Sequence, residues 1–395
     1  MAKTSSQKSF DIAIVGGGIA GLTLAIALHR RNIPVTLYER ADNFHEIGAG
    51  VSFTPNAVQA MKVCHPGVGE AFHKVCTWNA WESKKKTWFD FLDGTTEDSK
   101  TAFSIETSLG QNGVHRARFL DELIHLLPSE RVQFGKQIEQ AEEDSDGKIR
   151  MTFSDGTTAY ADALIGCDGI GSRVRKFIVG ENHPSARPQY SHKYAYRGLI
   201  PMDKAIEAVG EERARNAFNH GEKLNIVAFR TDPNEWDNPS KITKTAHRQD
   251  ALDDFKGYNS LWAIFDTGDN PVPMFYKGRM AILGDAAHAS SPHHGAGAGF
   301  CIEDSAVMAE LLADERVQNR SHLEAVFAAF DSSRRERTQW LVQSSRFVGD
   351  AYEWRAKGVG KDIPGIEREI KERIAVISNV EIAKSCEMAR EKMGL

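Results

Sequence analysis

Cysteine is scarce in this chain of 395 residues and forms no recognisable pattern. The five cysteines are an odd number and no two of them stand in a C-x-x-C arrangement, which favours neither a zinc cluster nor a disulfide framework. We therefore expect five reduced thiols in a reducing compartment, and hence a cytoplasmic protein.

Long apolar runs and an excess of positive charge are missing as well. No run of about 18 apolar residues occurs, so we expect no transmembrane helix. Residues 1–9 are polar and do not predict a secretory signal. The 49 Lys and Arg residues against 54 Asp and Glu residues give a net charge of -5, which does not predict nucleic-acid binding. An apolar content of 41% is typical of a globular protein.

The start of the chain instead has the pattern of a β-α-β unit. Residues 11–15 and 35–38 have the composition of short buried strands, and residues 20–31 have that of a helix. A glycine-rich turn separates the first strand from the helix, which is the arrangement in which a G-x-G-x-x-G pattern is informative.

The turn itself predicts a dinucleotide site. Gly16 permits a tight turn, Gly18 lets the backbone approach a pyrophosphate, and Gly21 lets the helix pack closely on the strand. The helix N-terminus adds N–H groups and the positive end of a dipole. Glu39, which follows Gly21 by 18 residues, can accept hydrogen bonds from both ribose hydroxyls and would repel a 2′-phosphate. FAD or NAD is therefore expected here rather than NADP.

Two further glycine-rich turns follow strand-like segments. Residues 163–165 lead into Gly166-Cys167-Asp168-Gly169, and residues 279–283 lead into Gly284-Asp285. The second turn is followed by a cluster of small residues that includes Gly297 and Ala298. Such glycine density at a strand end indicates backbone that lies close to a ligand.

Together the three motifs resemble the single-component FAD-dependent aromatic hydroxylases, the monooxygenases of the salicylate and para-hydroxybenzoate hydroxylase type. Their order and spacing match that family over nearly the whole chain. Residues 46–50, 191–200 and 292–298 are similar to its fungal branch. That branch contains salicylate hydroxylases and enzymes of secondary metabolism that dearomatise polyketide phenols.

The resemblance implies an α/β fold in which a Rossmann-type FAD-binding domain is interleaved with a β-sheet substrate domain and followed by C-terminal helices. Residues 93–113 have the composition of a polar loop. The expected FAD-binding domain comprises residues 1–76, 114–185 and 277–335, the substrate domain residues 77–113 and 186–276, and the helical segment residues 336–395.

The resemblance also implies roles for individual residues around FAD. Glu39 would bind the adenosine ribose, Gly50 would lie beside FAD, and Arg116 would contact the FAD phosphates or ribityl chain. Because the family has no separate domain for NADH or NADPH, Asp168 would serve both FAD and the pyridine nucleotide. Finally, the flavin end would be held by Asp285, Gly297 and Ala298.

Arg197 matches an arginine that is thought to hold the substrate phenolate in the dearomatising members. A permanent cation favours the ionised form of a phenol, although a surface ion pair would also explain an arginine on a strand. Residues 216–222 and 256–260 are shorter than the corresponding family segments, one of which carries a tyrosine proposed as a second anchor. Either the protein lacks these segments, or disordered loops are omitted from this sequence.

The sequence thus predicts a monomeric or homodimeric monooxygenase that uses FAD, NADH or NADPH, and O2 to hydroxylate a small phenol. Dearomatising hydroxylation is the first expectation and decarboxylative salicylate hydroxylation the alternative. No second arginine is obvious near Arg197, which favours a neutral phenol or aldehyde. No metal is expected, because His288, His293 and His294 have no third ligand at a suitable spacing.

Overall fold

The computed structural model describes residues 8–44, 50–94, 100–217, 219, 221–237, 243–245 and 260–395. Several sequence comparisons concern residues 46–49, 218, 220 and 256–259, which lie outside this described part.

Strands occur along most of the described chain up to residue 282. In chain order they are β1 (Ile12–Val15), β2 (Val35–Tyr38), β3 (Gly50–Val51), β4 (Cys76–Trp78), β5 (Thr87–Leu92), β6 (Thr101–Glu106), β7 (Asn112–His115), β8 (Val132–Gln133), β9 (Ile138–Glu143), β10 (Ile149–Phe153), β11 (Thr158–Ala161), β12 (Ala163–Gly166), β13 (Gln189–Pro201), β14 (Lys223–Thr231), β15 (Thr243–Thr245), β16 (Ser260–Asp266), β17 (Tyr276–Lys277) and β18 (Met280–Ile282).

Helices alternate with the strands in the first part of the chain and dominate the C-terminal part. In chain order they are α1 (Ile19–Arg30), α2 (Pro55–Cys64), α3 (Pro66–Val75), α4 (Arg116–Ile124), α5 (Arg173–Val179), α6 (Met202–Val209), α7 (Glu211–Asn216), α8 (Asp285–His288), α9 (Gly297–Ala313), α10 (Leu323–Tyr352), α11 (Ile363–Ser378) and α12 (Ile382–Glu391). No helix in the described ranges is long and apolar enough to cross a membrane.

The central sheet confirms the predicted Rossmann-type architecture. It has six strands in the order β17-β18-β12-β1-β2-β8. Strand β1 pairs in parallel with both β2 and β12, and only β17 runs antiparallel to its neighbour. The apolar segments IAIV of β1 and ALIG of β12 are completely buried, as is typical of parallel strands that are covered on both faces. All three predicted glycine-rich turns follow strands of this sheet.

A second sheet has four antiparallel strands in the order β14-β13-β16-β15 and shares no strand with the central sheet. Its register pairs Ala195 with Phe229 and Arg197 with Val227. Since side chains alternate along a strand, these four residues share one face of the sheet, and Asn225 shares it too. This face carries the predicted substrate residue.

The expectation of a polar loop at residues 93–113 is wrong. Strand β6 pairs with β5, and β7 pairs with both β3 and β4. Phe103 and Ile105 are buried on β6. This short alternation of apolar residues therefore indicates the strand, although the average composition of residues 93–113 is polar. The helical spacing predicted for Ile366, Ile370, Ile374 and Ile377 is confirmed, because all four are buried on α11.

Candidate active site

A cavity of about 830 Å³ lies where the central sheet meets the antiparallel sheet. This volume is in the usual range for a ligand site. Of the predicted site residues it is lined by Gly18, Gly50, Arg116, Arg197, Asp285, Gly297 and Ala298. The fold thus brings together residues that are up to 280 positions apart, from Gly18 to Ala298. The lining does not include the other four predicted residues, Gly16, Gly21, Glu39 and Asp168.

The first glycine turn is shaped by close backbone contacts. Gly16 has a φ of +104°, and a Cβ atom there would collide with the carbonyl oxygen of Cys167. A Cβ at Gly21 would collide with the carbonyl oxygen of Gly16. Helix α1 begins directly after Gly18, so its first N–H groups, which have no partner within the helix, lie beside the cavity. This is a suitable cradle for a pyrophosphate.

Glu39 fixes this turn from behind. Its carboxylate accepts hydrogen bonds from the N–H of Gly17 at 2.6 Å and from the N–H of Ala41 at 2.8 Å. The bond from Gly17 holds the glycine turn against the end of β2, and the bond from Ala41 fixes the orientation of the carboxylate. The ribose contact that the sequence predicts for Glu39 stays a prediction, and the structure adds a role in shaping the turn.

Arg116 places a cation between the glycine turn and the antiparallel sheet. It is the first residue of α4, and its Nη2 atom lies 3.6 Å from the position of a Cβ built on Gly18. Arg116 and Arg197 line the same cavity. Burial and the positive charge of Arg116 lower the pKa of Arg197. The expectation that no second arginine lies near Arg197 is therefore wrong, because residues distant in sequence meet here.

Asp168 organises the second glycine-rich turn. Its carboxylate accepts hydrogen bonds from Ser172 Oγ at 2.5 Å and from the N–H groups of Arg173 and Val174 at 2.7 and 3.2 Å. Burial raises the pKa of the Asp168 carboxyl, and these hydrogen bonds oppose that shift. Its neighbours Cys167 and Gly169 line the cavity. The side chain thus caps α5 and orients the turn towards the site.

The third turn presents two helix N-termini to the cavity. Asp285 begins α8 with an exposed side chain, and Gly297 begins α9. Asp285, Gly297 and Ala298 all line the cavity, as does Gly50 of β3. A carboxylate and helix N–H groups at one surface can bind hydroxyl groups and ring-edge acceptors, respectively.

The antiparallel sheet provides the wall on which Arg197 stands. Ala195, Arg197, Val227 and Phe229 all line the cavity, as their common face requires. Asn225 completes this face, and its Nδ2 atom has no hydrogen-bond partner within the described ranges. Arg197 is half-buried on a sheet face that it shares with the apolar Ala195, Val227 and Phe229, and partial exclusion of water strengthens the attraction between its charge and a bound anion.

His293 is a functional candidate that the residue predictions did not select. It is 4% exposed, lines the cavity, and packs on Phe229 with 4.4 Å between ring centroids. Its Nδ1 atom lies 3.0 Å from Ser291 Oγ, whereas Nε2 has no hydrogen-bond partner among the described residues. Burial and the charge of Lys193 lower the pKa of His293 to about 3, so its ring is neutral near pH 7.

Gly349 of α10 gives the His293 ring its place. A Cβ at Gly349 would lie 2.6 Å from Cε1 and 2.8 Å from Nε2 of His293. The Tyr352 hydroxyl donates a hydrogen bond of 3.0 Å to the carbonyl oxygen of His293. The long helix therefore holds the ring from one side while Phe229 holds it from the other. No sequence signal at Gly349 indicates this contact.

Aromatic and aliphatic side chains, together with Asp90 and Asp93, line the part of the cavity next to β5, β6 and α11. Phe91 stacks on Phe103 with 4.4 Å between centroids and lies 5.7 Å from Tyr352. Ile363 and Ile366 extend this wall along α11. Side chains of this kind exclude water, which strengthens electrostatic interactions inside the cavity.

The described residues fit FAD. The glycine turn offers a backbone cradle, Arg116 offers a cation beside it, and Gln111 leaves its buried Oε1 atom without a described partner at the cavity wall. Within the described ranges, no group of three or more His, Cys, Asp or Glu residues could hold a metal ion.

Comparisons with known proteins agree with this geometry. A family model described as an FAD binding domain matches residues 9–195 and 204–345. The FAD-dependent monooxygenase pigN of Monascus ruber is 45% identical over 398 residues, which cover 91% of this chain and 91% of that protein. The 6-methylsalicylate 1-monooxygenase atA of Aspergillus terreus is 38% identical, with 97% and 95% covered.

A solved structure extends the agreement to the fold. A salicylate hydroxylase in complex with its substrate superposes with a TM-score of 0.84 at 30% identity, covering 97% of this chain and 98% of that one. The matching family model covers most of the chain, and the pigN and atA proteins are similar along nearly their whole length. The chain therefore belongs to the FAD-dependent monooxygenases of the salicylate hydroxylase type, the family of single-component aromatic hydroxylases.

Proposed function

We propose that this monooxygenase hydroxylates a phenolic ring that it binds as a phenolate at Arg197, with NADH or NADPH as the electron donor and O2 as the oxygen source. The observation that carries the proposal is the pair of arginines, Arg116 and Arg197, in one partly apolar cavity. FAD, when bound, supplies the oxygen-transfer chemistry; the chain supplies binding, orientation and exclusion of water.

Arg197 favours an ionised phenol for an electrostatic reason. Burial and the charge of Arg116 already disfavour the Arg197 cation, as the direction of its pKa shift indicates. An anion beside Arg197 stabilises its charged form and offsets both effects, whereas a neutral phenol does not. The phenolate is also the more electron-rich ring and hence the better nucleophile towards oxygen.

His293 provides a second, uncharged contact. Its Nε2 atom has no hydrogen-bond partner in the described part of the chain, and its neutral ring packs on Phe229, the residue paired across the sheet with Ala195. Ala195 and Arg197 are two residues apart on one strand, which corresponds to roughly 7 Å. A ring held by its oxygen at Arg197 can therefore direct a second polar substituent towards His293.

Our first candidate reaction is dearomatising hydroxylation of a phenol that carries an aldehyde or ketone, as in polyketide-derived phenols of secondary metabolism. A neutral imidazole suits a carbonyl or hydroxyl substituent. In this reaction oxygen is added at a substituted ring carbon, and the product keeps every carbon of the substrate.

Decarboxylative hydroxylation of a 2-hydroxybenzoate is the second candidate, and it depends on whether Arg116 is available to the substrate. A carboxylate substituent needs a second cation, which Arg116 could provide if it is not occupied by FAD. The name of the 38%-identical relative, a 6-methylsalicylate 1-monooxygenase, is consistent with this option.

Matched substrates separate the two candidates. The enzyme is given pairs of phenols that differ only in an aldehyde or a carboxylate beside the hydroxyl, with NADH and NADPH in separate assays. With the aldehyde-bearing phenol, the first candidate predicts oxidation of the nicotinamide donor and a product that has gained one oxygen atom and kept every carbon atom. The second predicts CO2 release from the carboxylate. Donor oxidation that yields only hydrogen peroxide with every phenol would contradict both.

A further inference from the structure

A buried cluster of charged residues lies behind the third glycine-rich turn, outside the cavity lining. Glu303 and Asp304 of α9 are completely buried, and Arg334 of α10 is 2% exposed. Arg334 forms ion pairs of 2.7 Å with Glu303 and 2.8 Å with Asp304. Burial alone would raise the pKa of Asp304, but His288 and Arg334 lower it to about 2, so Asp304 is ionised in the folded protein.

One oxygen of Asp304 contacts both ends of the turn. Oδ2 accepts a hydrogen bond from the Gly284 N–H at 2.9 Å and lies 2.6 Å from Nε2 of His288. The other oxygen accepts the Arg334 bond. Gly284 has a φ of +62° and a ψ of -145°, a conformation that side-chain-bearing residues rarely adopt. Asp285 lies between the two contacted residues.

We propose that Asp304 is a positioning residue for FAD: it clamps the turn from Gly284 to His288 onto α9, so that Asp285 and the α9 N-terminus keep a fixed mutual geometry. Asp304 and Gly297 belong to the same helix. One carboxylate therefore joins the two segments that present Asp285 and Gly297 to the cavity.

A purely stabilising role explains this cluster less well. Removing charges from water costs several kcal/mol per ion, and buried ion pairs can often be replaced by apolar residues without loss of stability. What apolar residues cannot reproduce is a carboxylate that simultaneously accepts from a backbone N–H and contacts a histidine. The cluster also reaches α2, because Asn56 Nδ2 donates to Glu303 at 2.5 Å.

The test is a titration of FAD into the deflavinated full-length protein. Asp304→Asn should raise the Kd for FAD by about tenfold or more, since small displacements in a preorganised site are costly. Glu310→Gln is the matched control, because Glu310 is on the same helix and forms ion pairs with Arg31 and Arg390. It should lower the melting temperature while leaving the Kd within about twofold.

A second pair of variants covers the case in which Asp304→Asn does not fold. His288→Leu removes the contact between residue 288 and Asp304 but leaves the ion pair between Asp304 and Arg334 in place. His288→Gln retains a side-chain N–H that can donate to Asp304. We expect the leucine variant to weaken FAD binding and the glutamine variant to recover much of it. Equal Kd values for these variants and the Glu310→Gln control would overturn the proposal. No phenol is needed, so failure of the proposed substrate chemistry does not affect the result.

Discussion

Arg197 offers the most direct test of the substrate site, because its loss should harm the reaction while sparing the cofactor. A hydrogen bond to a charged group contributes about 1.5–3 kcal/mol. Arg197→Ala should therefore lower kcat/KM for the native phenol by about 10²-fold, or about 2.7 kcal/mol. Arg197→Lys should recover only part of this, because an ammonium group is a point charge without the planar fork of guanidinium.

The loss should also depend on pH in a defined direction. The Arg197 cation lowers the pKa of a bound phenol, so its removal raises that pKa and moves the acidic limb of the kcat profile, which reports ionisations in the enzyme–substrate complex, to higher pH. The defect should be greatest at low pH and smaller at high pH, where the phenol ionises without help. A defect that is constant across pH would indicate lost packing rather than lost charge.

Arg230→Ala is the matched control for this experiment. Arg230 lies on β14 next to Phe229 and is exposed, so its side chain belongs to the other face of the same sheet. Both variants should retain FAD, measured by absorbance, at the level of the unmodified enzyme. Full turnover of Arg197→Ala on the native phenol would refute the reasoning and reduce Arg197 to a structural residue.

Three further predictions concern the rest of the site. Gly349→Ala should displace His293 and lower kcat/KM by about tenfold with unchanged FAD affinity; unchanged kinetics would show that the ring is not needed. Asp285→Ala should weaken FAD retention without lowering the melting temperature of the deflavinated protein, and unaltered flavin content and turnover would remove it from the site. His293 and His294 both have a pKa of about 3 when folded, against 6.5 ordinarily. The unfolded chain therefore binds more protons between these values, and the free energy of unfolding should fall with decreasing pH by about 1.4 kcal/mol per unit for each ring; an equally steep curve for His294→Asn would contradict this.

The local patterns of the FAD-binding part could be interpreted from sequence because they are short-range. Gly16, Gly21 and Glu39 occupy neighbouring positions of one β-α-β unit, and the structure has the expected strand, turn and helix there. The ribose role of Glu39 stays a prediction, since its visible contacts are to the Gly17 and Ala41 N–H groups. The domain boundaries likewise stay a prediction.

The parts that sequence could not predict depend on contacts between distant segments. Arg116 and Arg197 stand on different elements, and only the packing of the two sheets shows that they share a cavity. His293 and Gly349 are 56 positions apart and meet only because α10 packs against the segment that carries His293. The strand β6 was missed for a different reason: its buried residues, Phe103 and Ile105, are few and lie in a polar stretch.

The position of Arg116 bears on the choice between the two candidate reactions. Its guanidinium lies near the Gly18 turn, where the phosphates of a dinucleotide would carry negative charge. If Arg116 contacts those phosphates, as the family resemblance implies, its charge is largely compensated once FAD is bound. Among the described residues that line the cavity, Arg197 then remains as the arginine available to the substrate, which matches one phenolate and leaves an additional carboxylate without a partner there. On this argument the first candidate, a phenol with a neutral carbonyl substituent near His293, is favoured in the FAD-loaded enzyme. A carboxylate-bearing phenol should compete with FAD for Arg116, and would be recognised by weaker binding to the loaded than to the deflavinated protein.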